Sequence, residues 1–410
     1  MANNTGFTGF TGFTGFTGFT GFTGFTGFTG FTGGAPDAGG GGPLVADALT
    51  RSREAHLRLP TQTDYSYPRP KPFEPGLIRD WGTQGQPGQL PEPGARWMPR
   101  MGPRIRVQLA VSELMAQLRV QPQRSPADKQ AVAVKVDYPA AVASLTLHRP
   151  RGVVFAAQAR RVESWASLRA ERMSEVLAQV APPYAFWTSV LHLNPEIVPY
   201  TQELMMVALE VATIVVQQAK YEAVVPRPSD YSPRIQPMIE NPGFFAWPSG
   251  HATQAFAMAE LLADLTEPGQ LGSGATHAWE EARQQLFRQA DRIATNRVVA
   301  GLHFPADSEA GSELGMWLTR VLLHAATGDW VQHGTETAPG AAPRPETYTF
   351  NENDGLDHDF RFSDHVERRS VHSTGYKPPR QLKTVGRDTP LGWLWTMASR
   401  EWFDPGRPVR

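Results

Sequence analysis

Leu204-Met205-Met206-Val207-Ala208-Leu209-Glu210-Val211-Ala212-Thr213-Ile214-Val215-Val216 is the stretch whose periodicity decides the fold. Leu204, Val207, Ala208, Val211, Ile214 and Val215 stand at offsets 0, 3, 4, 7, 10 and 11, the spacing of a helix buried on one face. Working outward, Trp165, Leu168, Met173, Val176, Leu177 and Val180 give an approximate helical stripe closed by Pro182 and Pro183. Trp279, Ala282, Leu286, Ala290 and Ile293 share one side of a helix running to Arg297, and Leu314, Trp317, Leu318 and Val321 mark another after Asp307. Strand patterns are scarce, the best being Ala131 to Val136 and Ser144 to Leu147. These periods predict a mainly α-helical bundle.

The flanks differ in composition. From Thr5 to Phe31 the triplet Thr-Gly-Phe repeats nine times, and with the Gly-rich run that follows it forms a tail, residues 1–43, expected to be disordered. Residues 44–103 hold ten prolines from Pro60 onward and read as an extended arm on the body. The helical catalytic domain is expected over residues 104–330, and residues 331–410, rich in Pro, Gly and charge, as an irregular wrap anchored by Trp393, Trp395 and Trp402.

The chain has 410 residues, with 39 basic and 40 acidic side chains and no cysteine. Near-neutrality removes a general electrostatic case for nucleic acid or an anionic membrane as partner. Lack of cysteine excludes disulfides, thiolate metal sites and thiol nucleophiles. The apolar run Leu204 to Val216 is interrupted by Glu210 and is shorter than the roughly 20 residues that cross a bilayer. No signal peptide is visible, so the expectation is a soluble protein, cytoplasmic by default and not membrane-spanning. Long arms at both ends make a homodimer an expectation without a specified interface.

Three short segments carry chemistry. Lys220 is followed after six residues by Arg227-Pro228; Trp247-Pro248-Ser249-Gly250-His251-Ala252-Thr253 comes next; Asn296-Arg297 is followed after five residues by His303, with Asp307 four positions on. Pro-Ser-Gly before a helical run reads as a helix N-terminus, where unpaired N–H groups and the dipole attract an anion. Arg297 lies five helical turns after Trp279, on the apolar side of its helix, where a guanidinium is costly unless paired. Lys220, Arg227 and Arg297 converging beside a helix N-terminus call for a multiply charged tetrahedral oxyanion. Singly, each residue has a plain structural reading: Lys220 as a helix C-terminal cation, Arg297 paired with Glu210 or Glu260, Pro-Ser-Gly-His as a capping turn, His303 as a core histidine, Asp307 as a cap. Asp357-His358-Asp359, with Asp354 and His365, reads as a solvated loop.

In this order, Lys-x6-Arg-Pro, Pro-Ser-Gly-His and Arg-x5-His resemble the three-part signature of the superfamily that joins vanadium-dependent haloperoxidases with type 2 phosphatidic acid phosphatases and bacterial acid phosphatases. The resemblance covers about residues 160–325, with Asn296 where a serine often precedes the last arginine. It implies a helical bundle of that type, with vanadate or phosphate oxygens held by Lys220, Arg227, Ser249, Gly250 and Arg297. His303 would be the vanadium ligand or the phosphatase nucleophile, His251 the acid/base, and Asp307 the group that orients His303. Phe244, Phe245 and Trp247 resemble the aromatic approach of the haloperoxidases, a possible halide or substrate wall. Gln217 replaces a tryptophan that some chloride-oxidising members carry one turn before the lysine, so bromide is expected over chloride. The leading expectation is a vanadate-dependent enzyme that uses hydrogen peroxide to oxidise halide. The alternative is a phosphomonoesterase working through a phosphohistidine on the same residues. An alternative of another class is a self-associating binding protein with a relic pocket.

Overall fold

The computed structural model describes residues 93–128, 130–141, 143–180, 184–267, 273–330, 345–360 and 386–403. The Thr-Gly-Phe tail, most of the Pro-rich arm and His365 lie outside them. From Ala95 onward the described residues form one unit, mainly helical with a small sheet. Its helices are α1 (Pro103–Met115), α2 (Gly152–Ser164), α3 (Arg169–Ala178), α4 (Tyr184–Thr188), α5 (Pro199–Ala223), α6 (Pro228–Tyr231), α7 (Gly250–Leu265), α8 (Ser273–Val299), α9 (Pro305–Thr327) and α10 (Pro390–Phe403).

The helix α7 is enclosed almost all round, packing against α5, α8 and α9. Its run of Ala, Leu, Phe and Met suits a helix with no solvent face. The α7–α9 crossing is close because α9 presents Gly311 and Gly315. A Cβ on Gly311 would stand 2.7 Å from the Ser249 carbonyl oxygen and 2.8 Å from Ala252 Cβ, and one on Gly315 would meet the Thr253 carbonyl. Two bare glycines one turn apart thus let the start of α7 lie directly on α9.

The predicted strands are found as β2 (Val132–Tyr138) and β3 (Ala143–His148), antiparallel, with Val134 opposite Leu147 and Val136 opposite Leu145. Two further strands complete a sheet of order β1-β2-β3-β4: β1 (Arg119–Arg124), antiparallel to β2, and β4 (Glu346–Thr349), parallel to β3. In β1 five of six residues are exposed and Pro122 interrupts the alternation, as an edge strand permits.

Three expectations change. The stripe from Trp165 to Val180 is not one buried helix: α2 passes through a 3-10 segment, Trp165–Leu168, into α3, where Val176 is buried but Met173 and Leu177 stand exposed. The C-terminal wrap includes the regular helix α10, whose Leu391, Leu394, Trp395 and Ala398 enter the main core, while Trp402 Nε1 donates to Thr201 Oγ1 at 3.0 Å. The apolar run around Leu204 lies within a longer helical stretch. Pro199–Tyr231 is long and apolar enough, by length and composition alone, to cross a membrane, with 61% of its apolar window buried inside the protein.

Candidate functional site

Lys220 ends α5 with 1% of its surface exposed, and its Nζ donates to the carbonyls of Phe245 at 2.9 Å and Ala246 at 2.5 Å. Burial and the neighbouring Arg227 hold its pKa well below the usual lysine value. Arg227, at the start of α6, is buried; its Nε donates to the Phe244 carbonyl at 3.0 Å, and its Nη1 to the Leu302 carbonyl at 2.9 Å and to His303 Nε2 at 3.1 Å. Arg297, in the last turn of α8, is fully buried, and its Nη2 donates to the Val176 carbonyl at 3.0 Å and to Gln179 Oε1 at 3.1 Å. Its observed partners are thus carbonyls and not Glu210 or Glu260. Burial lowers the pKa of both guanidinium groups to about 10.

These cations keep donors in reserve. Arg297 Nε, Arg297 Nη1 and Arg227 Nη2 are buried without a hydrogen-bond partner among the described residues. Among the described residues, the buried carboxylate that acts on Lys220 and Arg227 is Asp307, whereas Asp230, which takes the Arg227 backbone N–H at 2.8 Å, lies exposed. Orphaned buried donors on charged groups are costly enough to call for an explanation, and a bound anion is the simplest.

His303 follows Gly301, whose φ of +78° turns the chain sharply between α8 and α9. The ring's Nδ1 meets Asp307 Oδ2 at 2.8 Å, and the same carboxylate oxygen accepts the Phe304 N–H at 3.0 Å. Asp307 therefore caps α9 and orients His303 at once, one turn after it. Because a guanidinium only donates, the Arg227 contact fixes His303 Nε2 as an acceptor and Nδ1 as the N–H that Asp307 receives. Burial, then Arg227 and Lys220, push the His303 pKa well down, so the ring is neutral with its Nε2 lone pair on the cationic side. Burial raises Asp307 to about 7, against the Phe304 N–H, Lys220 and Arg227.

Ser249 is the N-cap of α7: its Oγ accepts the Ala252 N–H at 3.3 Å, and its own N–H donates to the Asp307 carbonyl at 2.8 Å. The start of α7 thus lies beside the charged cluster, the Cβ position of Gly250 being 3.9 Å from Lys220 Cε. His251, in the first turn and half-buried, places Nε2 3.0 Å from the Gln179 carbonyl. Its pKa falls to about 3 through burial and then the nearby Arg297.

The structure thus gathers Lys220, Arg227, Ser249, Gly250, His251, Arg297, His303 and Asp307 in one place, joined by direct contacts and mutual charge effects. The aromatic residues divide. Phe244 lies over both cations, its ring centroid 5.4 Å from Lys220 Nζ and 5.0 Å from Arg227 Cζ. Phe245 is at the surface and contributes its carbonyl to Lys220. Trp247 is fully buried in the main core and belongs to packing, not to a pocket wall.

In the short run 357–359, Asp357 is exposed while His358 and Asp359 are held to the body. His358 Nε2 meets Glu309 Oε1 at 2.6 Å, its Nδ1 meets the Gly355 carbonyl at 2.8 Å, and Trp165 Nε1 donates to Asp359 Oδ1 at 2.8 Å. Both ring nitrogens of His358 are thus engaged.

Gln179 and Asn296 were not anticipated as a pair. Asn296 Nδ2 donates to Glu175 Oε2 at 2.9 Å and to Gln179 Oε1 at 3.0 Å, while Asn296 Oδ1 accepts from Arg172 at 3.1 Å, fastening α3 to α8 behind Arg297. Arg292 pairs with Glu175 beside them and lowers its pKa to about 2.

In comparison with known proteins, no family profile and no curated protein matches the chain. Among solved structures it is similar to the first transmembrane PAP2 type phosphatidylglycerolphosphate phosphatase from Bacillus subtilis, at 18% identity and a TM-score of 0.34, covering 41% of this chain and 83% of that one. The expectation of a soluble, cytoplasmic protein that does not span a membrane is withdrawn: among the described residues, Pro199–Tyr231 meets, by length and composition alone, the requirements of a spanning helix.

Proposed function

We propose that the chain is an enzyme of the superfamily joining vanadium-dependent haloperoxidases with PAP2-type and bacterial acid phosphatases, and that its pocket grips a tetrahedral oxyanion. One observation carries this reading: among the described residues Arg297 and Arg227 keep buried donors without partners, and the charges of both act on a neutral His303 whose Nε2 meets Arg227 Nη1. Lys220, Arg227 and Arg297 balance the charge of the oxygens, and Ser249 Oγ–H with the Gly250 N–H completes the cradle.

Vanadate fits this donor set, with His303 Nε2 as its ligand, and when bound it would supply activation of hydrogen peroxide toward halide. The residues' own tasks are then defined. Asp307 holds the Nδ1 proton of His303 so that Nε2 stays a lone-pair donor. His251 accepts or returns a proton through Nδ1, since Nε2 is engaged by the Gln179 carbonyl. Phe244 covers Lys220 and Arg227 with an apolar face and keeps water from them, which favours a halide-oxidising site.

The second reading, phosphomonoester hydrolysis, draws on the same Nε2 lone pair. His303 Nε2 would bond to phosphorus as the P–O bond to the leaving alcohol breaks, His251 would protonate that oxygen, and water would then cleave the N–P bond to release phosphate.

One assay pair decides. After incubation with orthovanadate, bromide and peroxide should brominate a phenolic reporter; without vanadate, an aryl phosphate is offered. Bromination supports the leading reading, and hydrolysis alone shifts the assignment to the phosphatase. His303→Ala should lower whichever activity is found at least ~1,000-fold. Full activity in that variant removes His303 from the chemistry.

A further inference from the structure

We propose that Gln179 is a positioning residue that aims two groups of the site at once, its main-chain carbonyl holding the His251 ring and its side-chain carbonyl holding the Arg297 guanidinium. The proposal rests on the oxyanion-pocket reading and deepens it.

The geometry is specific. Gln179 caps the C-terminal end of α3 and is fully buried. Its carbonyl oxygen, 3.0 Å from His251 Nε2, can only accept, so Nε2 carries the proton there and Nδ1 is the nitrogen left for the reacting oxygen. Its Oε1 receives Arg297 Nη2 at 3.1 Å and Asn296 Nδ2 at 3.0 Å. With Nη2 tied to Gln179 and to the Val176 carbonyl, the guanidinium cannot rotate, and Nε and Nη1 are the donors it presents. The Asn296 bond fixes the side chain of Gln179, and through it the carbonyl that holds His251. The apolar packing of α3 is slight, Val176 being buried while Met173 and Leu177 are exposed, so polar contacts to α8, those of Gln179 among them, hold its end. An acid/base from α7 and an anion-binding cation from α8 are therefore registered against each other by one residue of a third helix, the kind of support on which sub-ångström placement depends.

The test compares the full chain with Gln179→Leu and Gln179→Glu, reading whichever activity the wild type shows, its pH profile, inorganic phosphate affinity by calorimetry, and the melting temperature. Gln179→Leu should lower kcat about 10- to 100-fold and weaken phosphate binding by about tenfold. It should also move the pH limb that reports His251 to lower pH, since the carbonyl contact supports the protonated ring. Gln179→Glu keeps the acceptors for Asn296 and Arg297 but adds a negative charge beside the bound anion. It should weaken phosphate more than the leucine does while retaining more of kcat at saturation. Wild-type kcat, KM and pH profile in Gln179→Leu, with only a lower melting temperature, would make Gln179 structural and overturn the proposal. If Gln179→Leu does not fold, unchanged phosphate affinity in Gln179→Glu overturns it equally. A wild type that binds neither phosphate nor vanadate sinks the pocket reading itself, and this proposal with it.

Discussion

Arg297 shows why the pocket trades stability for function. A fully buried guanidinium with two donors unmatched destabilises the anion-free fold, because the desolvation of a charge amounts to several kcal/mol and two carbonyls return only part of it. Methionine has a similar length, no charge and no donors, and Gln179 Oε1 keeps its bond to Asn296. Arg297→Met should therefore raise the stability of the anion-free protein by about 1–3 kcal/mol while cutting activity at least ~100-fold. Denaturant melts with and without phosphate check this: phosphate should stabilise the wild type and leave the variant unmoved. A variant less stable than wild type without phosphate would show that Arg297 is a structural cation. This residue was legible beforehand because its position relative to Trp279 placed a charge on an apolar helical side. Gln179 was not, because nothing local distinguishes a glutamine at a helix end; its role depends on α3 meeting α8 across more than a hundred residues.

Among the elements, the crossing of α7 and α9 decides whether the site exists. Ser249 reaches Asp307 through a backbone hydrogen bond of 2.8 Å, possible because Gly311 leaves room for the start of α7. In Gly311→Ala the new Cβ would collide with the Ser249 carbonyl and Ala252 Cβ, neither of which is a flexible chain end. The expected cost is about 1–3 kcal/mol, with weaker phosphate binding as the Ser249 turn is pushed off α9. Gly250→Ala is the control: its Cβ would have ordinary contacts at 3.9 Å, and its stability should stay near wild type. Calorimetric melts of both variants separate the cases, and equal melting temperatures would show that the crossing has slack. Helices with one apolar side were readable from period alone, whereas α3 misled because its apolar residues are spread over a 3-10 segment and leave two of them in solvent. The strand β1 was hidden by Pro122 and a polar composition, and β4 by its length of four residues. Gly311 and Gly315 carry no periodic signal, being defined by what lies opposite them.

For the whole molecule, the cluster links anion binding to proton uptake. The free pocket holds His251 at about 3, chiefly by burial and then by Arg297, and depresses His303 by the same kinds of effect. A bound dianion opposes the cationic push, so it raises the pKa of His251 and His303, and it raises Asp307, already lifted to about 7, in the same direction. Every affected group thus takes up protons when the anion binds, and linkage requires affinity to rise as pH falls. Sulfate isolates the effect because its own charge does not change across this range. Its dissociation constant, followed by thermal shift, should tighten by up to about tenfold per pH unit as pH drops from 7 toward 4, one proton per bound ion setting that slope. Replacing His251 by glutamine should reduce the slope without abolishing binding, because it removes one of the groups that take up a proton. Sulfate affinity that is flat or weakens on acidification in the wild type would mean that the cations do not act on one shared anion, and the convergence of Lys220, Arg227 and Arg297 would be packing alone.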